Sequence, residues 1–212
     1  MRSNLRDKVE DSVREALLTG HFIPGKPITL RGLAEELGVS PMPVREALRS
    51  LTAARALELL PNGRIRIPEM TTARFEEILA ARLMMEPALA EMAFPHTHEK
   101  IAAKLEAIDN RIDDSLQDGD VSAYMRFNRS FHFTLYELAP STVFLPLVET
   151  IWLQFAPFMR TVYGRVGTSF LIDMHKEAIS AIRRRDLRAL KDAINGDIHD
   201  GMGILGRSVM AD

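Results

Sequence analysis

Three histidines in three different helical segments are the residues of this sequence best suited to binding a metal ion. His132, His175 and His199 each lie in a stretch whose apolar residues recur at helical spacing. Imidazoles from three packed helices can meet in the interior of a bundle, where metal ions are commonly held. Asn128 lies four residues before His132 and shares its helix face. The alternative is that each histidine is a core residue that forms hydrogen bonds with other buried polar groups.

A second set of candidate residues lies on one predicted helix near the amino-terminal end. Its buried face repeats at helical spacing and consists of Val44, Ala47, Leu48 and Leu51. The opposite stripe consists of Met42, Arg45 and Arg49. Arginine can bind phosphate oxygens, or a guanine edge through two parallel hydrogen bonds, so this stripe is a candidate DNA-reading surface. The alternative is a solvated outer face, which charged residues commonly form.

The elements that must position these arginines are three short helices. The pattern predicts the first over Leu5–Thr19 and a second between a Thr29 cap and Gly38. Ser40 is the predicted N-cap of the third helix, so that Pro41 and Pro43 fall in its first turn, where a missing N–H forfeits little. The short connection between the second and third helices predicts a helix-turn-helix.

A predicted β-hairpin follows the third helix. Asn62-Gly63 is a strong hairpin turn signal, and short alternating apolar stretches flank it. Arg64 lies at the tip of this hairpin. Three helices and a hairpin with a basic tip form a winged helix, which can place its third helix in the major groove and its wing near the phosphates or the minor groove.

The rest of the chain has helical periodicity throughout and no strand pattern. Turn signals divide it into six predicted helices: 72–94, 97–118, 121–138, 142–160, 168–184 and 187–207. The fold class is therefore mainly α, an amino-terminal winged helix-turn-helix followed by an all-α bundle. We predict two domains, a DNA-binding domain over residues 1–70 and an effector-binding and dimerisation domain over residues 71–212.

Composition sets limits on the function but does not identify it. The chain has 212 residues, 46% of them hydrophobic, with a net charge of −2 and no cysteine. The charge does not indicate a nucleic-acid partner, although residues 1–70 carry 11 basic and 9 acidic side chains. Disulfides and cysteine metal sites are excluded, and the sequence predicts a cytoplasmic protein without a membrane partner.

The stretch LRGLAEELGVSPMPVREALRSL and the PNGRIRI hairpin resemble the winged-helix domain of the GntR family of bacterial transcription regulators. The resemblance implies DNA contacts from Arg31, Ser40, Arg45 and Arg49, with the wing glycine at Gly63. Pro41 departs from the family pattern, which usually has arginine there, so one phosphate or base contact is missing. The glycine common after the third helix is also missing.

The stretch NRSFHFTLYELAPSTVF and the later segment from His175 to His199 resemble the FadR branch of this family, with its FCD-type helical effector domain. The resemblance implies a divalent metal ion, zinc or nickel, held by Asn128, His132, His175 and His199. Asn128 stands where an aspartate is usual. The family's effectors are often small carboxylates, and Arg82 resembles an arginine that could bind one. The alternative for Arg82 is an ion pair with Glu86. Asn195, one turn before His199, could also line the pocket.

The leading hypothesis is a ligand-responsive, homodimeric transcription regulator, a repressor rather than an enzyme, that binds an operator and a small organic acid. One alternative is a metal-dependent hydrolase that uses the three-histidine site, with Glu137, Asp173 or Asp197 as general base. The other is a DNA-binding regulator whose helical bundle only dimerises. The sequence identifies neither the acid nor the operator.

Overall fold

The structure, a computed structural model, describes residues 5–166 and 174–209. Within these ranges the chain is mainly helical and carries one two-stranded sheet, which confirms the predicted fold class. The amino-terminal elements are α1 (Leu5–Leu18), α2 (Leu30–Glu36), α3 (Pro41–Ala53), β1 (Glu58–Leu59) and β2 (Ile65–Arg66). The later elements are α4 (Thr72–Ala93), a 3₁₀ turn (Phe94–His96), α5 (Glu99–Gln117), α6 (Val121–Tyr136), α7 (Phe144–Val166), α8 (His175–Arg184) and α9 (Leu187–Val209).

The chain divides into two compact units. One comprises Met1–Glu69 together with Trp152–Thr161, and the other comprises Met70–Ile151 together with Val162–Asp212. Helix α7 therefore contributes residues to both units. In the first unit, the Gln154 side chain of α7 donates a hydrogen bond to the carbonyl of Ala54 at the end of α3, at 3.2 Å. No helix among the described residues is long and apolar enough to cross a membrane.

The first unit is built around a helix-turn-helix. The Thr29 hydroxyl accepts a hydrogen bond from the N–H of Gly32 at 3.2 Å and caps α2. Gly38, with φ of 65°, makes the turn after α2, and α3 begins directly after Ser40. Pro41 lies at the first position of α3, which confirms that the prolines start this helix. The apolar face of α3 is buried, with Val44 and Leu51 both at 0% exposure.

The wing is the predicted antiparallel hairpin, with Glu58 opposite Arg66 and Leu59 opposite Ile65. Gly63 has φ of 77°, a conformation that favours glycine, and its N–H donates to the carbonyl of Leu60 at 2.9 Å. The turn after α3 has no glycine. Arg55 takes the left-handed conformation there instead, with φ of 56°. The turn therefore forms without the glycine that is usual in the family, at the expense of backbone strain at Arg55.

The second unit is a helical bundle in which α5 packs against α6 and α8, while α9 packs against α4 and α8. The end of α7 differs from the prediction. Helix α7 continues to Val166 instead of ending at 160, because a helical backbone tolerates the single glycine at position 164. Helix α8 is described from His175, and residues 168–173 of the predicted 168–184 helix lie outside the described ranges.

Candidate functional site

A buried cluster of two histidines and one aspartate lies in the second unit. His132 on α6, His175 at the start of α8 and Asp197 on α9 each offer a ligand atom, and these atoms all lie within 4.8 Å of one another. Nε2 of His132 is 3.1 Å from Oδ2 of Asp197, and Nε2 of His175 is 3.5 Å from its Oδ1. The histidine side chains are 0% and 1% exposed and the aspartate side chain 13% exposed. Two imidazoles and one carboxylate therefore face one point inside the bundle.

The other nitrogen of each imidazole has its own partner. Nδ1 of His175 lies 3.0 Å from Oδ1 of Asp109 on α5. Nδ1 of His132 lies 3.2 Å from the hydroxyl of Tyr136, which itself donates to Oε2 of Glu86 at 2.9 Å. Because the only hydroxyl proton of Tyr136 goes to Glu86, the hydroxyl accepts from Nδ1–H of His132. Both imidazoles thus direct Nε2 at the cluster.

The carboxylate of Glu86 is held by a buried ion pair on α4. Arg82 is 5% exposed and Glu86 is fully buried. The Arg82 guanidinium donates to Glu86 through Nε at 2.5 Å and through Nη2 at 3.3 Å. Burial acts to lower the pKa of Arg82, but the charge and the hydrogen bonds of Glu86, together with the charges of Tyr136 and Asp197, outweigh burial and raise this pKa. Burial, and after it the charge of Glu86, raise the pKa of Tyr136 well above its usual value, so the phenol stays protonated.

The acidic member of the cluster is stabilised in its ionised form. Burial acts to raise the pKa of Asp197, but the charge of His175 and the hydrogen bond and charge of His132 outweigh burial. The net effect holds the pKa of Asp197 well below its usual range. The carboxylate of Asp197 is therefore ionised at neutral pH. Together with the two imidazoles it forms a set of donors suited to a transition metal ion.

The structure brings some of the predicted ligands together and leaves one outside. His132 and His175 are in the cluster, and Asn128 is buried on α6, one turn before His132. His199 is not: its side chain is 75% exposed, and Nδ1 lies 3.7 Å from Asp200. Successive helical residues differ by about 100°, so positions 197 and 199 of α9 point to nearly opposite sides. Asp197 therefore stands where His199 was predicted.

The two predicted effector residues are Arg82, on α4, and Asn195, on α9. Arg82 is the buried partner of Glu86, the alternative that the sequence offered. Its charge also contributes to lowering the pKa of Asp197. Asn195 lies on α9, two residues before Asp197, and is half-buried. An effector that binds Arg82 would have to share its guanidinium with Glu86.

Sequence reasoning missed Asp109 and Tyr136. It named Glu86 only as the alternative ion-pair partner of Arg82, and it considered Asp197 only as a possible general base. Asp109 carried a recognisable signal, because it continues the apolar stripe of α5 between Leu105 and Ile112 at helical spacing. An acidic residue on such a stripe is a buried polar group that requires a partner.

The candidate DNA-binding residues all lie on the exposed surface of the first unit. The set consists of Arg31, Ser40, Met42, Arg45, Arg49, Gly63 and Arg64. Met42 is 61% exposed, and Ser40 makes no side-chain hydrogen bond to cap α3. A cavity of about 520 Å³ is lined by both α3 and the wing, and its walls include Arg45, Arg49 and Gly63. Helix α3 and the wing therefore share the walls of one cavity, and Arg45 and Arg49 make the α3 side of it basic.

A winged helix with exposed arginines on its third helix, carried on the same chain as a helical bundle, is the architecture of a DNA-binding transcription regulator. Two family profiles match this chain. Residues 5–67 match the gntR family of bacterial regulatory proteins, and residues 77–200 match the FCD domain. The chain belongs to the GntR family of transcription regulators and carries an FCD domain, which confirms the resemblance seen in the sequence.

Relatives of known name are similar over nearly the whole chain. The HTH-type transcriptional regulator McbR of Escherichia coli K12 is 23% identical over 201 residues, which are 93% of this chain and 91% of McbR. The gluconate operon transcriptional repressor of Bacillus licheniformis is 23% identical over 95% of this chain and 85% of its own length. The solved structure of E. coli McbR/YncC has the same fold, with a TM-score of 0.90 at 22% identity, covering 97% of this chain and 99% of that chain. These relatives are regulators and not enzymes, so nothing in them supports the hydrolase alternative.

Proposed function

We propose that this regulator is a homodimeric repressor in the cytoplasm whose helical bundle senses a small organic acid at a divalent metal site. The observation that carries this proposal is the buried cluster of His132, His175 and Asp197. The cluster lies in one unit of a chain whose other unit is a winged helix. Repression is supported by the name of one relative, the gluconate operon transcriptional repressor.

The DNA-reading role falls to the exposed side of α3 and to the wing. Arg45 and Arg49 are one turn apart on α3, so their guanidinium groups can reach adjacent phosphates or base edges. Arg31 at the start of α2 and Arg64 at the wing tip extend the same basic surface. In this proposal the arginines of α3 supply base recognition, while Arg31 and Arg64 fix the position of the winged helix on the backbone.

The residues present fit a divalent cation. Arg82 and Glu86 neutralise one another. Metal binding requires neutral imidazoles, and in that state Asp109 and Asp197 leave two negative charges uncompensated beside the two histidines. A divalent ion would balance these charges, and imidazole with carboxylate donors suits zinc or nickel. His132, His175 and Asp197 would hold the ion, and the amide oxygen of Asn128 is a possible fourth ligand. The bound ion would act as a Lewis acid that accepts a carboxylate oxygen of the effector in an open coordination position.

The effector would bind against α4 and α9 as well as the ion. Arg82 can contact its carboxylate only in competition with Glu86, so the ion is the principal anchor and Arg82 a secondary one. Asn195 can contribute an amide hydrogen bond from α9. Effector binding shifts the equilibrium between DNA-binding and released states by its difference in affinity for the two.

A homodimer is supported by an exposed apolar stripe on α4. Met84 is 70% exposed and Met92 is 37% exposed, with Ala88 between them at a spacing of four. Exposed apolar residues on one helix face are typical of interaction surfaces. A two-fold dimer with this contact would present two winged helices to a near-palindromic operator.

The test of the proposal uses a duplex that the wild-type protein selects from a random-sequence pool. We expect Arg45→Ala and Arg49→Ala each to reduce specific binding about 5- to 150-fold, because each removes about 1–3 kcal/mol of base discrimination. Arg188→Ala removes the same charge from α9, where the side chain is 93% exposed, and should leave binding unchanged. Equal binding by all variants would refute the assignment of α3.

The sensor part is tested separately, by the thermal stability of metal-analysed protein with small carboxylic acids. We expect one class of acid to raise the melting temperature only when a divalent ion is present, since a ligand that binds the folded state stabilises it. The same acid should release the selected duplex. A protein that binds the duplex but neither metal nor acid would favour the alternative in which the bundle only dimerises.

A further inference from the structure

Asp109 is a buried carboxylate that the metal ligands do not include. Its residue is 1% exposed, and its neighbours along the same face of α5 are Leu105 and Ile112, both at 0% exposure. Burial of a carboxylate in such surroundings is unfavourable unless hydrogen bonds and an opposite charge compensate it. A carboxylate at this position therefore requires a specific partner. Without one, a leucine there would give a more stable fold.

The partner of Asp109 is the imidazole of His175. Oδ1 of Asp109 lies 3.0 Å from Nδ1 of His175, across the α5–α8 contact. The ring of Phe131 stacks on the same imidazole, with centroids 3.9 Å apart and an angle of 26° between the planes. One contact fixes the edge of the His175 ring and the other fixes its plane, so the direction of Nε2 is determined.

We propose that Asp109 is the positioning residue of the metal site, and this inference rests on the metal binding proposed above. Asp109 holds the proton on Nδ1 of His175, so that Nε2 presents its lone pair towards Asp197 and the cation. Carboxylates in this position orient a histidine ligand and increase its donor strength. Asp109 itself contacts the nitrogen on the other side of the ring, so it acts through His175 and is not a ligand.

The two histidines differ in how strongly they are held. Nδ1 of His132 faces the neutral hydroxyl of Tyr136 at 3.2 Å, whereas Nδ1 of His175 faces a carboxylate. Charge-assisted hydrogen bonds are about twice as strong as neutral ones. His175 is also the first residue of α8, so its backbone is less constrained than that of His132, which lies inside α6, four residues before its end. Asp109 therefore orients His175, the histidine whose backbone constrains its side chain less.

The chain offers a matched control for Asp109. Asp113 lies one turn further along α5 and forms an exposed ion pair with Lys176, the residue after His175, at 3.0 Å. Asp109→Asn and Asp113→Asn thus make the same chemical change in a contact between the same two helices. Only the first change touches the imidazole.

The experiment measures the affinity of the full-length, chelator-stripped chain for zinc by competition with a chromophoric chelator. We expect Asp109→Asn to weaken zinc binding about 10–100-fold, with Asp113→Asn within about twofold of wild type. The visible spectrum of the cobalt-loaded protein should change in Asp109→Asn and remain unchanged in Asp113→Asn. Asp109→Glu, which keeps the carboxylate, should recover part of the affinity.

Each outcome bears on a different statement. If the wild type binds zinc and Asp109→Asn binds it with equal affinity, the positioning role is overturned and the metal site is retained. Absence of zinc and cobalt binding by the wild type overturns the metal site and this inference with it, while selected-duplex binding still tests the DNA-binding surface. If Asp109→Asn does not fold, ¹⁵N NMR of the zinc-loaded wild type decides: a protonated Nδ1 on His175 supports the proposal, and a metal-bound Nδ1 overturns it.

Discussion

Replacement of Tyr136 by phenylalanine tests the polar chain that connects α4 with the cluster. The change removes one oxygen atom at a residue with 0% exposure, so it creates almost no cavity. It deletes two hydrogen bonds, one donated to the Glu86 carboxylate at 2.9 Å and one accepted from His132 at 3.2 Å. A bond to a charged group contributes about 1.5–3 kcal/mol and a neutral one about 1 kcal/mol. We therefore expect Tyr136→Phe to lower the free energy of unfolding by about 2.5–4 kcal/mol.

The assay is urea unfolding followed by far-ultraviolet circular dichroism, at one protein concentration and without metal. Trp152 is the only tryptophan and belongs to the unit that contains the winged helix, so its fluorescence provides a separate transition. Two further variants, Glu86→Gln and the double variant with Tyr136→Phe, complete a double-mutant cycle. Because the two residues are in contact, the cycle should show a coupling energy of about 0.5–3 kcal/mol. A loss below about 0.5 kcal/mol in Tyr136→Phe, or strict additivity in the cycle, would show that the hydroxyl does not connect these groups.

Three further predictions concern the wing, the dimer and acid stability. Gly63→Ala places a side chain at φ of 77° and should cost about 1–2 kcal/mol in the wing, weakening duplex binding, whereas unchanged binding would mean that the wing does not contact DNA. Met84→Glu puts a charge on the α4 stripe and should shift the protein towards monomer in light scattering, whereas Leu5→Glu, at a site 55% exposed on the other unit, should not. The pKa of Asp197 is lowered from 3.8 in the folded chain, so its ionised form stabilises the fold above that value and the stability is lost as pH falls through the folded pKa. The urea midpoint of the wild type should fall more steeply below about pH 4 than that of Asp197→Asn, and parallel profiles would contradict the ionic role of Asp197.

The winged helix could be predicted in detail because its signals are local. A serine before the first turn, prolines within that turn and an Asn-Gly pair are signals that span only a few residues. The structure has α3 and the hairpin where they indicate, with Ser40 at the N-cap position but without a side-chain cap hydrogen bond. The end of one bundle helix was less predictable. The end of α7 depends on whether packing compensates for one internal glycine, which no local pattern reveals.

The candidate metal site was partly predictable, and the failure has a geometric cause. His132 and His175 were found from their place on apolar helix faces, and both are in the cluster. His199 was predicted from the same helical spacing and from the family resemblance, but the face of α9 that points to the cluster carries Asp197. Asp109 was missed, although it lies on the apolar stripe of α5, because acidic residues usually lie at the surface. Glu86 was named only as a partner of Arg82, and its contact with Tyr136 depends on the packing of α4 against α6.

The start of α3 has a consequence for how the protein searches for its operator. Pro41 and Pro43 carry no backbone N–H, so the first turn of this helix lacks two of the amide donors that would otherwise attract a phosphate. Such phosphate contacts hold a regulator on DNA of any sequence. If α3 is the recognition helix, we expect it to have a shorter residence time on random DNA, to exchange sites faster, and to depend more on arginine contacts to remain at the correct one.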